Sequence, residues 1–247
     1  MPNPKTLERL RGSIARIERA TLDPVDILPF GIPEIDAALP GGGLPVAALH
    51  EVSGTGIDLE FAAAPALFAA GILARRPGPV LWVLQQTDLF APALAAAGLH
   101  PDRVIYAEAG HADALLAMEE GLRHPGLASV VAEVSAPVSL TVSRRLHLAA
   151  QAGGAIALLL RRRADAEGAL AAVTRWRIGP QPSAPPLPHA PETPGLGRLC
   201  WHLELTRCRG GRTGSWMVEA CDASGCLGLV SPLADRSAAP ASFEAAG

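Results

Sequence analysis

The stretch EVSGTGIDLEF, from Glu51 to Phe61, lies where a phosphate-binding loop would lie, between an apolar run and an alanine-rich run. Such a loop needs G-x-x-x-x-G-K-[ST], because glycines admit backbone N–H groups to the phosphates, the lysine neutralises them and the hydroxyl binds Mg²⁺. Counted from Gly54, the last three positions hold Leu59, Glu60 and Phe61. A carboxylate in place of the lysine repels phosphate. We therefore interpret the stretch as a degenerate nucleotide loop formed by Ser53, Gly54, Thr55, Gly56 and Glu60.

Two further strand ends would have to carry acids in an ATPase of this layout. The position that activates water holds Gln85 or Gln86 in LWVLQQTD, and a neutral amide is not a general base. The position that supports Mg²⁺ holds Glu133 in SVVAEV. Glu133 is either a remnant acid or a capping or solvated residue at a strand end. The sequence thus predicts no catalytic residue, no bound cofactor and no metal.

Arginine supplies nearly all the positive charge, since Lys5 is the only lysine. Residues 161–212 carry nine basic and four acidic side chains, and the strands there hold a possible contact surface. Its members are Arg161, Arg162, Arg163, Arg175, Arg177, Arg207, Arg209 and Arg212. Such a group suits single-stranded DNA, an acidic protein surface or a solvated edge, and charge alone does not separate these alternatives. Trp176, Trp201 and Trp216 stand among apolar strand residues, which favours core or interface positions.

Apolar residues near the N-terminus recur at helical spacing, at Leu7, Leu10, Ile14 and Ile17. This amphipathic helix could cover a second copy, a partner protein or its own domain. The four cysteines lack a C-x-x-C pair, which favours ordinary reduced strand cysteines over a zinc site.

Length and charge set broad limits on the class of protein. The 247 residues suit one main domain, and the net charge of −3 argues against a general nucleic-acid binder. No uncharged apolar stretch reaches the roughly 18 residues that a membrane span requires. The first 20 residues carry seven charged side chains and lack the apolar core of a secretion signal, so we expect a cytoplasmic protein.

Apolar strands alternate with helices from Val46 to about residue 163, which predicts a parallel sheet covered on both faces. A helix in TDLFAPALAAAGL should begin with Thr87 or Asp88 as its cap. Near the C-terminus, LCWHLELTRCRGGRTGSWMVEACD predicts two antiparallel strands that extend the sheet. We divide the chain into an N-terminal helix (1–22), an α/β domain (23–230) and a tail (231–247).

Several of these segments, in this order, resemble the RecA-type core and more closely the ImuA family of RecA-related proteins. The similarity runs from about Leu28 to Asp222. The segments that carry it are LPFGIPEIDAALPGGGLPVAALHEV, SRRLHLAAQAGGAIALLLRR, VTRWRIGPQP and WHLELTRCRGGRTGSWMVE. The resemblance implies a RecA-like core with a mostly parallel sheet flanked by helices and extended by a C-terminal antiparallel hairpin.

The resemblance also implies a role and partners. ImuA proteins are regarded as members of a damage-induced mutagenic assembly with ImuB, a polymerase-like protein, and a DnaE-type error-prone polymerase. Since Leu59, Glu60, Phe61 and Gln86 depart from the catalytic recombinases, we expect a non-catalytic adaptor. In recombinases a helix at this place packs on the neighbouring protomer, so the resemblance makes a second copy of the chain, in a homo-oligomer, one of the partners that this helix could have. The alternatives are a regulatory protein similar to the RecA-related inhibitors of cell division and a DNA-dependent ATPase.

Overall fold

A computed structural model describes residues 26–56, 63–162, 170–187, 190, 192–195 and 197–230. The proposed N-terminal helix with Leu7, Leu10, Ile14 and Ile17 lies outside the described residues, as does the tail from residue 231.

The chain alternates between strands and helices through most of its length. The strands are β1 (Ile27–Leu28), β2 (Leu44–Pro45), β3 (Leu49–Gly54), β4 (Val80–Leu84), β5 (Val104–Glu108), β6 (Ser129–Val134), β7 (Ile156–Arg161), β8 (Thr174–Gln181), β9 (Cys200–Cys208), β10 (Gly214–Glu219) and β11 (Gly228–Leu229). The helices are α1 (Pro33–Asp36), α2 (Ala63–Ala74), α3 (Ala91–Ala96), α4 (His111–Arg123) and α5 (Leu140–Gly153), with short 3₁₀ turns at Pro40–Gly42 and Pro101–Arg103.

Within the described ranges, nine strands form one sheet in the order β11-β10-β9-β8-β3-β7-β6-β4-β5. The pairs from β8 to β5 are parallel, whereas β8 with β9, β9 with β10 and β10 with β11 are antiparallel. This confirms the predicted α/β fold, in which helices flank a mostly parallel sheet and C-terminal antiparallel strands extend it. The sequence did not predict β11 or the small β1–β2 ladder.

The sheet separates two apolar cores. On one face α2 and α3 cover a core that contains Phe68, Trp82 and Trp176, and on the other α4 and α5 cover a core that contains Met118 and Leu146. The central strands β4, β6 and β7 are buried on both sides, which is why they are almost entirely apolar. Trp176 and Trp201 are both buried, which confirms the core alternative for these two, and Trp216 is partly buried against the same core.

The approach to the first core strand is fixed by one carboxylate. Asp36 accepts hydrogen bonds from the backbone N–H groups of Phe30 (2.7 Å) and Gly31 (2.9 Å). Gly31 has φ of 78°, a left-handed conformation that glycine adopts at little cost. These contacts explain the G-x-x-x-I-D pattern in GIPEID, because the glycine makes the turn and the aspartate closes it.

The expected cap of helix α3 is wrong. The helix begins only at Ala91, with Phe90 as a cap that makes no side-chain hydrogen bond and with Pro92 in its first turn. Asp88 lies too far upstream to cap it and instead pairs with Arg162 across the sheet edge. Asp88 therefore forms a long-range ion pair in place of the helix cap that the local sequence predicted.

Arg103 closes the C-terminal end of α2. Its guanidinium donates to the carbonyls of Leu73 (3.2 Å), Ala74 (3.1 Å), Arg76 and Gly78 (3.1 Å). The last carbonyls of a helix lack partners within the helix, so a cation there satisfies them and complements the helix dipole.

Replacement of Arg103 by methionine should therefore destabilise the fold by about 2–3 kcal/mol, since hydrogen bonds from charged groups contribute more than neutral ones. Urea unfolding followed by circular dichroism measures the change. Arg144→Met, at an exposed position on α5, is the matched control and should stay within about 0.5 kcal/mol. Equal effects of the two substitutions would contradict this role of Arg103.

No helix among the described residues is both long and apolar enough to span a bilayer. The four cysteines are free thiols, with Cys200 buried and Cys226 exposed. In the same residues, no cluster of three or more His, Cys, Asp or Glu side chains is arranged to hold a metal ion.

Candidate functional site

The degenerate loop begins at the end of β3, and its first residues lean onto the neighbouring strand. Ser53 is buried, and its hydroxyl donates to the Trp176 carbonyl (3.3 Å) on β8. The Thr55 side chain lies against Gly179, where an added Cβ would come within 2.7 Å of the Thr55 hydroxyl oxygen. Residues 57–62, which include Glu60, lie outside the described residues.

Glu133 on β6 is buried near the carboxyl ends of the parallel strands, and both of its carboxylate oxygens accept hydrogen bonds. One carboxylate oxygen accepts from the indole N–H of Trp82 (3.0 Å), and the other accepts from the guanidinium of Arg162 (2.8 Å). The strand register explains these contacts. Trp82 pairs with Val131, two residues before Glu133, and Glu133 pairs with Leu160, two residues before Arg162. Because residues two apart share a face of a strand, the side chains of Trp82, Glu133 and Arg162 lie on one face of the sheet. Of the alternatives predicted for Glu133, the solvated strand end is wrong, since Glu133 is only 3% exposed.

Arg162 also binds Asp88, so one guanidinium joins the loop after β4 to the ends of β6 and β7. The hydrogen bond from Arg162 lowers the pKa of Asp88. Burial raises the pKa of Glu133, and the hydrogen bonds from Trp82 and Arg162 oppose this only in part. Mg²⁺ would therefore have to displace a guanidinium before it could bind Glu133, so this carboxylate in its present contacts does not fit the role of a magnesium ligand.

Gln85 is one of the two glutamines at the position where an ATPase would hold its water-activating acid, and it has a structural contact on each side. Its amide oxygen accepts from the Ser135 backbone N–H (2.9 Å), and its amide nitrogen lies 3.3 Å from His111 Nδ1. An amide nitrogen donates only, so His111 accepts through Nδ1. Gln85 thereby links the loops that follow β4 and β6.

A second charged cluster lies on the opposite face of the sheet. Glu51 on β3 accepts from Arg175 on β8 (2.6 Å) and lies 3.8 Å from Arg161 on β7. Arg161 is 5% exposed and also donates to the Ala136 carbonyl (3.2 Å). Burial lowers the pKa of Arg161, and the nearby Glu51 carboxylate opposes this shift. The cluster joins the neighbouring strands β3, β7 and β8.

Four further arginines of the predicted contact surface are more exposed, and each has a partner in its own chain. Arg207 donates to the Leu170 carbonyl (2.9 Å), Arg209 to the Ala171 carbonyl (2.7 Å) and Arg212 to the Ala37 carbonyl (3.3 Å). Arg177 lies 3.9 Å from Glu204. Arg163 lies outside the described residues. The seven arginines that the structure describes therefore do not form one uniform surface, and the contact of the whole set with DNA or a partner stays a prediction.

Sequence reasoning missed Trp82, Asp88 and the bracing role of Arg162. The sequence did contain a signal that Glu133 has a partner, because a glutamate inside an apolar strand must have one when it is buried. The identity of that partner depends on strand order, which brings β4, β6 and β7 side by side although α4 and α5 separate them in the chain.

The fold and site define an α/β protein whose strand ends, where such proteins usually bind ligands, are braced by buried side-chain contacts. No family model matches the chain. Over 242 residues the chain is 42% identical to Protein ImuA of Caulobacter vibrioides strain NA1000 / CB15N, covering 91% of this chain and 97% of the relative. The same figures hold for Protein ImuA of the strain ATCC 19089 / CIP 103742 / CB 15. The chain belongs to the ImuA family.

Proposed function

We propose that the chain is a non-catalytic, RecA-like adaptor of a damage-induced mutagenic polymerase complex that carries out translesion DNA synthesis. Its similarity to proteins named ImuA supports the assignment to that system. By family resemblance its partners are ImuB and a DnaE-type error-prone polymerase in the cytoplasm, as part of an SOS-type response. The exposed arginines Arg207, Arg209 and Arg212, with the partly exposed Arg177 beside them, would then face an acidic partner or single-stranded DNA.

The observation that carries the non-catalytic part is the buried contact of Glu133 with Arg162 and Trp82. An acid held between a guanidinium and an indole N–H has its oxygens occupied by internal donors. The sequence of the loop agrees, because Leu59, Glu60 and Phe61 replace the glycine, lysine and hydroxyl that a nucleotide requires.

The purified chain should hydrolyse ATP no faster than a protein-free control, with or without single-stranded DNA, because neither Gln85 nor Glu133 can activate water in these contacts. A coupled phosphate-release assay measures the rate. Glu133→Gln should leave this background unchanged, with circular dichroism to confirm that the variant folds. ATP hydrolysis that Glu133→Gln abolishes would overturn the non-catalytic assignment.

The choice of complex needs a separate experiment. The tagged chain should retain an ImuB-type polymerase-like protein and should not retain the cell-division GTPase of the same bacterium. Retention of the GTPase alone would favour the regulatory alternative over the adaptor.

A further inference from the structure

The edge strand β5 differs from the buried strands of the sheet in its exposure. In the described part of the chain it pairs with β4 alone and ends the sheet on that side. Ile105 is 54% exposed and Tyr106 is 39% exposed. An open edge that presents apolar side chains is normally covered, charged or shortened, because it invites another strand to pair with it.

The backbone groups that face outward follow from the ladder. The Ala109 N–H donates to the Leu84 carbonyl, so the peptide groups of residues 105, 107 and 109 face β4. Those of Val104, Tyr106 and Glu108 consequently face away from the sheet. An incoming strand would exchange hydrogen bonds with these residues, and above all with Tyr106 at the centre.

The side chains favour an extended segment over a helix. Ile105 pairs with Leu81 and Tyr106 with Trp82, so the two exposed side chains stand on opposite faces of the sheet. A helix would cover one face and leave the other exposed. A strand has side chains on both faces, and these would lie beside Ile105 on one face and Tyr106 on the other.

The charge around this edge is acidic. Residues 101–120 contain five acids and one arginine, Arg103, whose guanidinium is turned inward onto the carbonyls at the end of α2. Glu119 is buried against Arg123 and Arg145. The other four acids are exposed, but Glu120 lies 3.7 Å from Arg123 and Asp102 lies 2.8 Å from the His100 ring. The acids next to the strand itself are Asp102, two residues before β5, and Glu108, its last residue. Lysine or arginine flanking the incoming segment would complement this charge.

We propose that β5 binds an extended segment of a partner protein that has apolar residues at alternate positions and basic residues at its ends. The segment adds a strand to the sheet beside β5, with its backbone bound to Val104, Tyr106 and Glu108. The proposal rests on the proposed adaptor function, for which it supplies the docking surface.

A designed peptide, Arg-Lys-Val-Thr-Val-Thr-Val-Lys-Arg, serves as the probe in fluorescence anisotropy with the full chain. It should bind the wild type, and Ile105→Lys should weaken binding by about tenfold or more. A tenfold change in Kd corresponds to about 1.4 kcal/mol of binding free energy. Leu148→Lys, at an exposed leucine on α5, is the matched control and should bind like the wild type. Absence of binding to the wild type, or equal loss in both variants, would overturn the proposal.

Hydrogen exchange tests the backbone register independently of affinity. Bound peptide should slow exchange of the Tyr106 and Glu108 amides and leave the Ala107 amide, which faces β4, unchanged. Uniform slowing along the strand would contradict strand addition. Equal binding of a peptide with glutamate flanks would contradict the charge requirement, and self-association that Ile105→Lys abolishes would make a second copy the occupant. Because the peptide assay needs neither ATP nor ImuB, it can fail while the adaptor assignment stands, and the reverse also holds.

Discussion

Replacing Arg162 with methionine should lower the free energy of unfolding by about 3–5 kcal/mol, because it leaves a buried carboxylate without its cation. Glu133 is 3% exposed, and Trp82 would remain as its hydrogen-bond donor. Asp88 would also lose its partner, but it is half-exposed and water can replace the lost contact. Urea unfolding at pH 7 measures the change.

The loss should depend on pH in a definite direction. Burial already raises the pKa of Glu133, and removal of Arg162 takes away one of the contacts that oppose this rise. In the variant the native state therefore holds a proton on Glu133 at a pH where the unfolded state has released it. Acidification favours the state that binds more protons, so the destabilisation should shrink as pH falls toward the ordinary glutamate range.

Two further variants separate the buried ion pair from the general effects of losing an arginine. Arg177→Met removes a partly exposed arginine that lies 3.9 Å from Glu204, and it should cost about 1 kcal/mol or less. The double variant Glu133→Gln with Arg162→Met should recover much of the stability, because a neutral amide needs no cation and its oxygen can still accept from Trp82. An Arg162→Met loss no larger than that of Arg177→Met would show that the contact has little energetic weight.

The fold was predictable because the composition of the strands identifies them in the sequence. Runs such as VVAEV and AIALLL are apolar on both faces, and that pattern is typical of parallel strands under helices. The start of α3 was not predictable, since Asp88 has the local chemistry of a cap and is taken up by an arginine 74 residues later in the chain. Local sequence shows the capping residue but not the ion pair that competes for it, because that ion pair exists only after the sheet assembles.

The candidate site was predictable in position and not in arrangement. Strand periodicity places Gln85, Glu133 and Arg161 at strand ends, and parallel strands bring those ends to one edge of the sheet. The arginines at 161 and 162 look alike in sequence, as one basic run. In the structure their side chains alternate between the two faces of the sheet, so Arg161 joins Glu51 and Arg162 joins Glu133.

His50 should make the protein sensitive to mild acid. It is fully buried on β3, and burial lowers its pKa to about 4, although the hydrogen bond to the Pro45 carbonyl opposes the shift. Nε2 lies 2.8 Å from that carbonyl, which only accepts, so Nε2 carries the proton. Nδ1 then accepts from the Thr174 hydroxyl (2.8 Å), whose oxygen accepts from the indole N–H of Trp176 (2.9 Å).

Protonation would add a charge to this apolar interior and turn Nδ1 from an acceptor into a donor. The unfolded state takes up the proton near the ordinary histidine pKa of 6.5, whereas the native state resists until about 4. Between these values the unfolded state binds more protons, so native stability should fall as pH falls, by about 3 kcal/mol in total at about 1.4 kcal/mol per pH unit. Unfolding free energies measured from pH 7.5 to 4 test this slope.

A variant must isolate this contribution, because other groups titrate in the same range. Burial also lowers the pKa of His147 to about 4, which steepens the loss, while the raised pKa of Glu133 acts in the opposite direction. His50→Gln should be less stable at pH 7 and should lose the part of the slope that one proton contributes. His147→Gln should remove a second part of its own, so the double variant should show a flatter slope than either single variant. The His50 ring can also be titrated directly by NMR in the wild type, where a pKa near 6.5 would contradict the prediction. A low pKa together with an unchanged slope in His50→Gln would contradict the linkage to unfolding, since a buried neutral histidine must release that free energy when the chain unfolds.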